Sequence, residues 1–330
     1  MLSCQNSGED SPSSPESDVI NFGMAIGDGY SRAASLVEKV TDMQSQPFGI
    51  FGDWTDAAQT ANVFKDVEVA YDRNPPVGWK YSPVQYWMPT GDYEFRAYWP
   101  ASNPIAATSN THTLALEYNM MAQNEDLMVA YKSCPTRSAS VDLRFRHALA
   151  AVAVKFETKD DETATYKYKV KNVYFAGLYY SGTLLYDATT EKADLTNSWQ
   201  YAQRGTVDAD GGSETLRLRE WNDEEGRVVP PSAADYPEEF NFFIPQSLKV
   251  GDGVAKPIIC ITASIESEGE TMDMTFKVTI PDTDKDGKER VWQAGKKYVY
   301  IVSGHPSDYR VEVKVSDWDV VNASVEDIQI

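Results

Sequence analysis

The chain has 330 residues, 42% of them hydrophobic, so it can bury the cores of two ordinary domains and is not a disordered polymer. Asp and Glu number 50 against 30 Lys and Arg; the formal charge of −20 repels phosphates and anionic membranes, argues against nucleic-acid binding, and suits a soluble extracytoplasmic or surface-exposed protein. With 19 Tyr, 8 Trp, 12 Phe and recurrent β-branched residues the composition favours sheet, and no run approaches the ~20 apolar residues of a membrane helix.

Residues 1–18 are rich in Ser, Pro and Glu and read as a disordered tether. Within it Cys4 follows Met-Leu-Ser and precedes a polar run. A small residue before the Cys, an apolar one before that and a polar tether after it match the end of a bacterial lipoprotein signal, so Cys4 is the expected lipidation site of a sequence trimmed of its apolar leader. Three cysteines make no disulfide framework; Cys134 and Cys260 lie in or near strand-like runs as buried, inert thiols.

From Val19 the pattern changes. Ile20, Phe22, Met24 and Ile26 are apolar at every second position, which predicts a half-buried strand. Six residues later Arg32 and Ala33 sit in an open Ser-Arg-Ala stretch. Leu36, Val37 and Val40 are spaced for a short helix or an irregular loop within 33–46. Turn-bounded apolar segments follow at 47–54, 64–72, 78–89, 93–100, 113–120 and 125–133. The turn-rich KSCPTRSAS (132–140) reads as a link between two domains, 19–137 and 138–330.

The second block opens with VDLRFRHALAAVAVKFE (141–157). From Ala148 it is apolar at nearly every residue, as in a central strand covered on both faces. Strands are expected within 166–180, 182–187, 240–248, 257–266, 271–281, 292–303 and 309–321, and long surface loops over 188–237. The fold class is all-β, with short strands between turns indicating sandwiches.

Chemistry is sparse. His112, His147 and His305 lie in separate segments without a metal-ligand or triad pattern, and His147 reads as a hydrogen-bonded structural residue. No catalytic residue, cofactor or metal is expected. The nearest metal motif is DTDKDGKERVWQ (282–293), in which Asp282, Asp284, Asp286 and Gly287 take calcium-loop positions. Gln293 stands where the bidentate Glu belongs, so an acidic hairpin turn is the better account.

The order of these pieces resembles the fimbrillin-like family of Bacteroidales bacteria, the type V pilins. The pieces are the Cys-anchored tether, INFGMAIG with SRA, PFGIFGDW, GWKYSPVQYWMP with YEFRAYWP, EDLMVA, VDLRFRHALAAVAVKF, NVYFAGLYYSGTLLY, FFIPQSL, WQAGKKYVYIV and VEVKVSDW. The resemblance implies two transthyretin-like β-sandwich domains in tandem, and export as an outer-membrane lipoprotein that joins cell-surface fimbriae and adhesion. It further implies that an arginine-specific protease cuts between Arg32 and Ala33 and that the strand of Ile20, Phe22, Met24 and Ile26 is removed. A neighbouring pilin subunit then fills the groove. The tail, with Val321, Ala323 and Val325 at one parity, is a possible donor strand, although it is short and an accepting role at the fimbrial tip fits equally well. A second reading is a carbohydrate- or matrix-binding adhesin on the same scaffold, with Trp79, Tyr81, Tyr86 and Trp87 as candidate stacking platforms for a host or bacterial surface ligand.

Overall fold

The computed structural model describes residues 18–26, 39–110, 112–135, 137–158, 167–187, 189–190, 192–205, 216–220, 226–284, 286–305, 308–317 and 324–328, the backbone alone at 216–220 and from 304 onward. The fold is all-β, and no helix among the described residues is long and apolar enough to cross a membrane.

In chain order the first strands are β1 (Phe22–Ile26), β2 (Phe48–Thr55), β3 (Thr60–Asp72), β4 (Gly78–Lys80), β5 (Asp92–Trp99), β6 (Ala106–Ser109), β7 (Thr113–Asn119), β8 (Met128–Cys134) and β9 (Val141–His147). Seven of them form one sheet in the order β1-β9-β8-β5-β2-β3-β4. A bulge at Gly52, where β2 loses register with β3, increases the local twist and helps the sheet curl. One turn of helix, α1 (Val40–Met43), precedes β2 and buries Met43. Of the strand expected over 78–89 only Gly78–Lys80 forms. Beyond it the Tyr81 and Tyr93 hydroxyls accept the amides of Gln85 and Met88, and Pro83 and Pro89 have no amide to give a ladder.

The second half carries β10 (Ala150–Glu157), β11 (Lys167–Ala176), β12 (Tyr179–Asp187), β13 (Trp199–Arg204), β14 (Leu216–Glu220), β15 (Arg227–Val228), β16 (Asn241–Phe243), β17 (Gln246–Ser247), β18 (Ile258–Ser267), β19 (Glu270–Thr279), β20 (Val291–Trp292), β21 (Lys296–His305), β22 (Asp308–Asp317) and β23 (Ser324–Ile328). One sheet runs β16-β10-β21-β22-β23 and another β14-β11-β18-β19, with β15 also on β11. Ala150 to Ala153 are wholly buried, as a central strand covered on both faces requires. Trp292 fills the centre; its indole N–H donates to the Tyr300 hydroxyl at 2.9 Å beside Phe175 and Phe243.

Two expectations need correction. The division at 137/138 does not follow the sheets. β9 pairs antiparallel with β8, so the KSCPTRSAS turn is the loop of a hairpin rather than a domain link. The chain passes between sheets at Ala148 and Leu149, inside an unbroken apolar run. The halves are further joined where β12 pairs with β7 from Ser181↔Asn119 to Asp187↔Thr113, and where the Tyr118 hydroxyl donates to the Phe242 carbonyl at 2.8 Å. The 188–237 stretch also contains strands, β13 on β12 and β14 and β15 on β11. In β13 only Trp199 is buried, so its sequence lacks the alternation of a strand with one face covered.

Candidate functional site

The described residues gather no three His, Cys, Asp or Glu side chains into a metal site. The 282–287 carboxylates serve the hairpin. Asp284 Oδ1 accepts the amides of Asp286 and Lys288, Asp282 pairs with Lys256 at 3.0 Å, and Gly287 takes the positive φ (77°) that the turn demands. His147 Nδ1 lies 2.8 Å from Asp126 Oδ2, both side chains buried, and braces the crossing between the sheets. Burial pushes the Cys134 and Cys260 thiols up, which disfavours the reactive thiolate.

The feature that stands apart is the seat of the first strand. β1 runs parallel to β9 in the register Phe22↔Val141, Met24↔Leu143, Ile26↔Phe145, at the end of the seven-stranded sheet. The stretch that follows β4, the strand at the other end of the sheet, returns to the residues just before β1. Ile20 N donates to Gln85 O at 3.0 Å, Trp87 N donates to Asp18 O at 2.8 Å, and Val19 bridges Tyr86 antiparallel. Segment 18–26 is therefore a closing stave between β9 and residues 85–87. Asp18 also pairs with Arg137.

The alternation seen in the sequence has a direct physical consequence here. Ile20 is completely buried and Phe22 is 7% exposed, while Met24 and Ile26 are half-buried against the same core. The Phe22 ring meets Phe64, Tyr81, Phe95 and Phe48 at centroid distances of 5.5, 5.6, 5.8 and 5.9 Å, all edge-to-face. Burying Ile20 and Phe22 contributes roughly 1.5–3 kcal/mol each before entropy costs. The Tyr81 hydroxyl donates to the Ile20 carbonyl at 2.7 Å, and burial raises the pKa of this phenol. Lifting the stave would uncover a slot walled by aromatic rings, flanked by the unpaired edge of β9.

The structure thus brings Ile20, Phe22, Met24 and Ile26 onto one groove. Cys4, Arg32 and Ala33 lie outside the described residues, as do Val321 and Ala323. Val325 is in β23, opposite Lys314 of β22. The proposed sugar platform is not assembled. Trp87 is buried against Tyr93, Trp79 is half-buried between Phe48 and Tyr71, Tyr81 is committed to the groove, and Tyr86 alone of the four is exposed. Sequence reasoning missed Tyr81 and Gln85 as the far wall and β9 as the near one. No sequence pattern marks the far wall: a period-two reading of 84–88 would turn Val84, Tyr86 and Met88 inward, yet they are exposed and Trp87 is buried.

A family profile described as fimbrillin-like matches residues 32–318. The chain belongs to the fimbrillin-like family. No curated protein matches it in sequence. Among solved structures, a fimbrial protein from Bacteroides vulgatus is similar with a TM-score of 0.63 and 14% identity, over 91% of this chain and 99% of that one. A protein assigned to cell adhesion from Bacteroides uniformis has a TM-score of 0.51 and 14% identity over 91% and 98% of the two chains. Another from Parabacteroides distasonis has 0.50 and 10% over 93% and 98%. At these identities the likeness concerns the fold alone, over more than nine tenths of each chain.

Proposed function

We propose that this fimbrillin-like protein is a structural subunit of cell-surface fimbriae with a role in adhesion, assembling by strand exchange once its first strand has been removed. Family membership supports the fimbrial or adhesive role and a structural rather than catalytic protein. The observation that carries the exchange step is the seat of segment 18–26. It supplies core side chains, yet it lies at the end of its sheet.

In this reading Cys4 carries the lipid that holds the subunit at the outer membrane. An arginine-specific protease cuts between Arg32 and Ala33, and the segment bearing Ile20, Phe22, Met24 and Ile26 departs. The bare β9 edge then has unpaired N–H and C=O groups beside an apolar slot, a strong template for a strand from another subunit. Such a head-to-tail contact does not close on itself and generates a filament. The adhesin reading that relies on Trp87 stacking on sugar is disfavoured by the burial of that ring.

Digestion of the folded chain with an arginine-specific protease tests the proposal. The expected outcome is a single early cut at Arg32, read by N-terminal sequencing of the large product, followed by growth in light scattering when donor subunits are present. Resistance of Arg32 in the folded chain contradicts it.

A further inference from the structure

We infer that the groove beneath β1 selects an incoming strand carrying a large aromatic side chain at the Phe22 register, so that the donor is a subunit whose donor strand bears that ring and not the Asp319–Ile330 segment of a second copy. This rests on the strand-exchange reading above and names the partner that reading requires.

The groove is deep at one place and shallow elsewhere. Ile20 and Phe22 are buried, whereas Met24 and Ile26 are only half-covered, so selectivity concentrates at the first two apolar registers. At the Phe22 register the walls are Phe48 of β2, Phe64 of β3 and Phe95 of β5, each completely buried, with Tyr81 closing the box. Strand β2 is paired with β3 on one side and β5 on the other, which holds these rings in place and limits collapse around a smaller guest. A close-packed wall that cannot relax leaves a void when a ring is replaced by a smaller group. A polar replacement fares no better, because the nearby Tyr81 hydroxyl is turned to backbone carbonyls, that of Gln85 and, in the intact chain, that of Ile20, whose place the donor backbone takes.

The chain's own tail does not supply this ring. The residues after Trp318 are DVVNASVEDIQI, with no aromatic and no glycine, and every register places an aliphatic or polar side chain where the ring stands. Two cut copies would also each bring a formal charge of −16 to the contact (−20 for the whole chain, less the five acidic residues and one Arg of residues 1–32), which opposes self-association. A donor that fits has the form aliphatic, any residue, Phe, small residue, apolar, and runs parallel to β9.

The test uses the full chain cut at Arg32 and incubated with fluorescent peptides, uptake being followed by anisotropy. The four peptides are the chain's own Val19–Ile26 segment, its Phe22→Ala and Phe22→Ile versions, and the tail Val320–Ile330. The native-sequence peptide is expected to enter. The two substituted peptides should bind roughly tenfold more weakly or worse, and the tail peptide should show no uptake at concentrations that saturate the first. If the Phe22→Ile or the tail peptide binds within about threefold of the native one, the aromatic requirement is overturned while strand exchange stands. If the cut chain keeps its own segment and takes up none of the four, strand exchange itself fails and the inference falls with it.

Discussion

Two strand pairs among the described residues run parallel, β1 with β9 and β10 with β21, and the difference between them shows how burial and removability separate. β10 has β21 on one side and β16 on the other, in the interior of its sheet, and Ala150 to Ala153 are covered on both faces. β1 has a full ladder only with β9; the segment meets its other neighbour only at residues 18–20. Phe22 is nevertheless a core residue, only 7% exposed. Side-chain burial sets how much free energy a strand contributes, while its place in the sheet order sets whether the rest of the fold survives its loss. Fold-wide cooperativity runs through β10; through β1 it need not.

The sharpest way to break this contrast is a charge in each place. Val152→Asp puts a carboxylate into the fully covered stretch of β10, and the expected loss is about 4–5 kcal/mol or more, enough to abolish the cooperative denaturant transition. Phe22→Ala removes the ring from its box and should cost about 3–5 kcal/mol in the intact chain. Once cutting at Arg32 has released the first segment, residue 22 has gone with it, so cut wild-type and cut Phe22→Ala chains should melt alike. Paired denaturant melts of cut and uncut chains read both numbers, and an equal penalty in the two would mean that the segment never leaves.

Alkaline titration sharpens the comparison at smaller magnitude. Burial pushes Tyr298 on β21 up to about 12 and raises Tyr81 in the groove above its usual 10.0. Both phenols stay neutral in the folded chain while the unfolded chain ionises near 10, so the stability they confer is complete below that pH and is lost as pH climbs through the folded values. For Tyr298 about 2 kcal/mol is at stake. The denaturation midpoint should therefore be flat up to about pH 10 and fall by about pH 12; a midpoint that holds level to that pH contradicts the role given to buried phenols.

The smallest effect is expected at Gly23. A Cβ there would meet the Asp142 carboxylate and the Ser140 hydroxyl. That carboxylate is exposed and can swing into water, and the unfolded chain loses some freedom. Gly23→Ala should change stability by less than about 1 kcal/mol, readable as a small midpoint shift.

How much of this was legible beforehand follows from where the punctuation lies. Period-two alternation exposed β1 and β5, and the unbroken apolar run from Ala148 exposed β10, because those patterns are imposed by one or two covered faces. The boundary between sheets was hidden for the opposite reason. Turn residues at 132–140 mark the loop between two antiparallel neighbours, whereas the true crossing at Ala148–Leu149 is buried and so carries no Gly, Pro or polar signal. Strand β13 was hidden because an edge strand with one buried Trp has no periodicity to detect. At the site, Ile20, Phe22, Met24 and Ile26 could be read as one face. Tyr81 and Gln85 could not, since no local pattern tells that the stretch after β4 will return to the residues before β1.

Hydrogen exchange at Val141–Phe145 tests the central claim most directly. In the intact chain these amides should be protected like those of β8 and β5. After cleavage at Arg32, in the absence of any donor, protection on β9 should fall to that of a free edge while β2, β5 and β8 keep theirs, and it should return when a strand bearing the Phe22 ring is added. Unchanged protection of Val141–Phe145 in the cut chain, or loss of protection across the whole seven-stranded sheet together, would contradict a separable first strand.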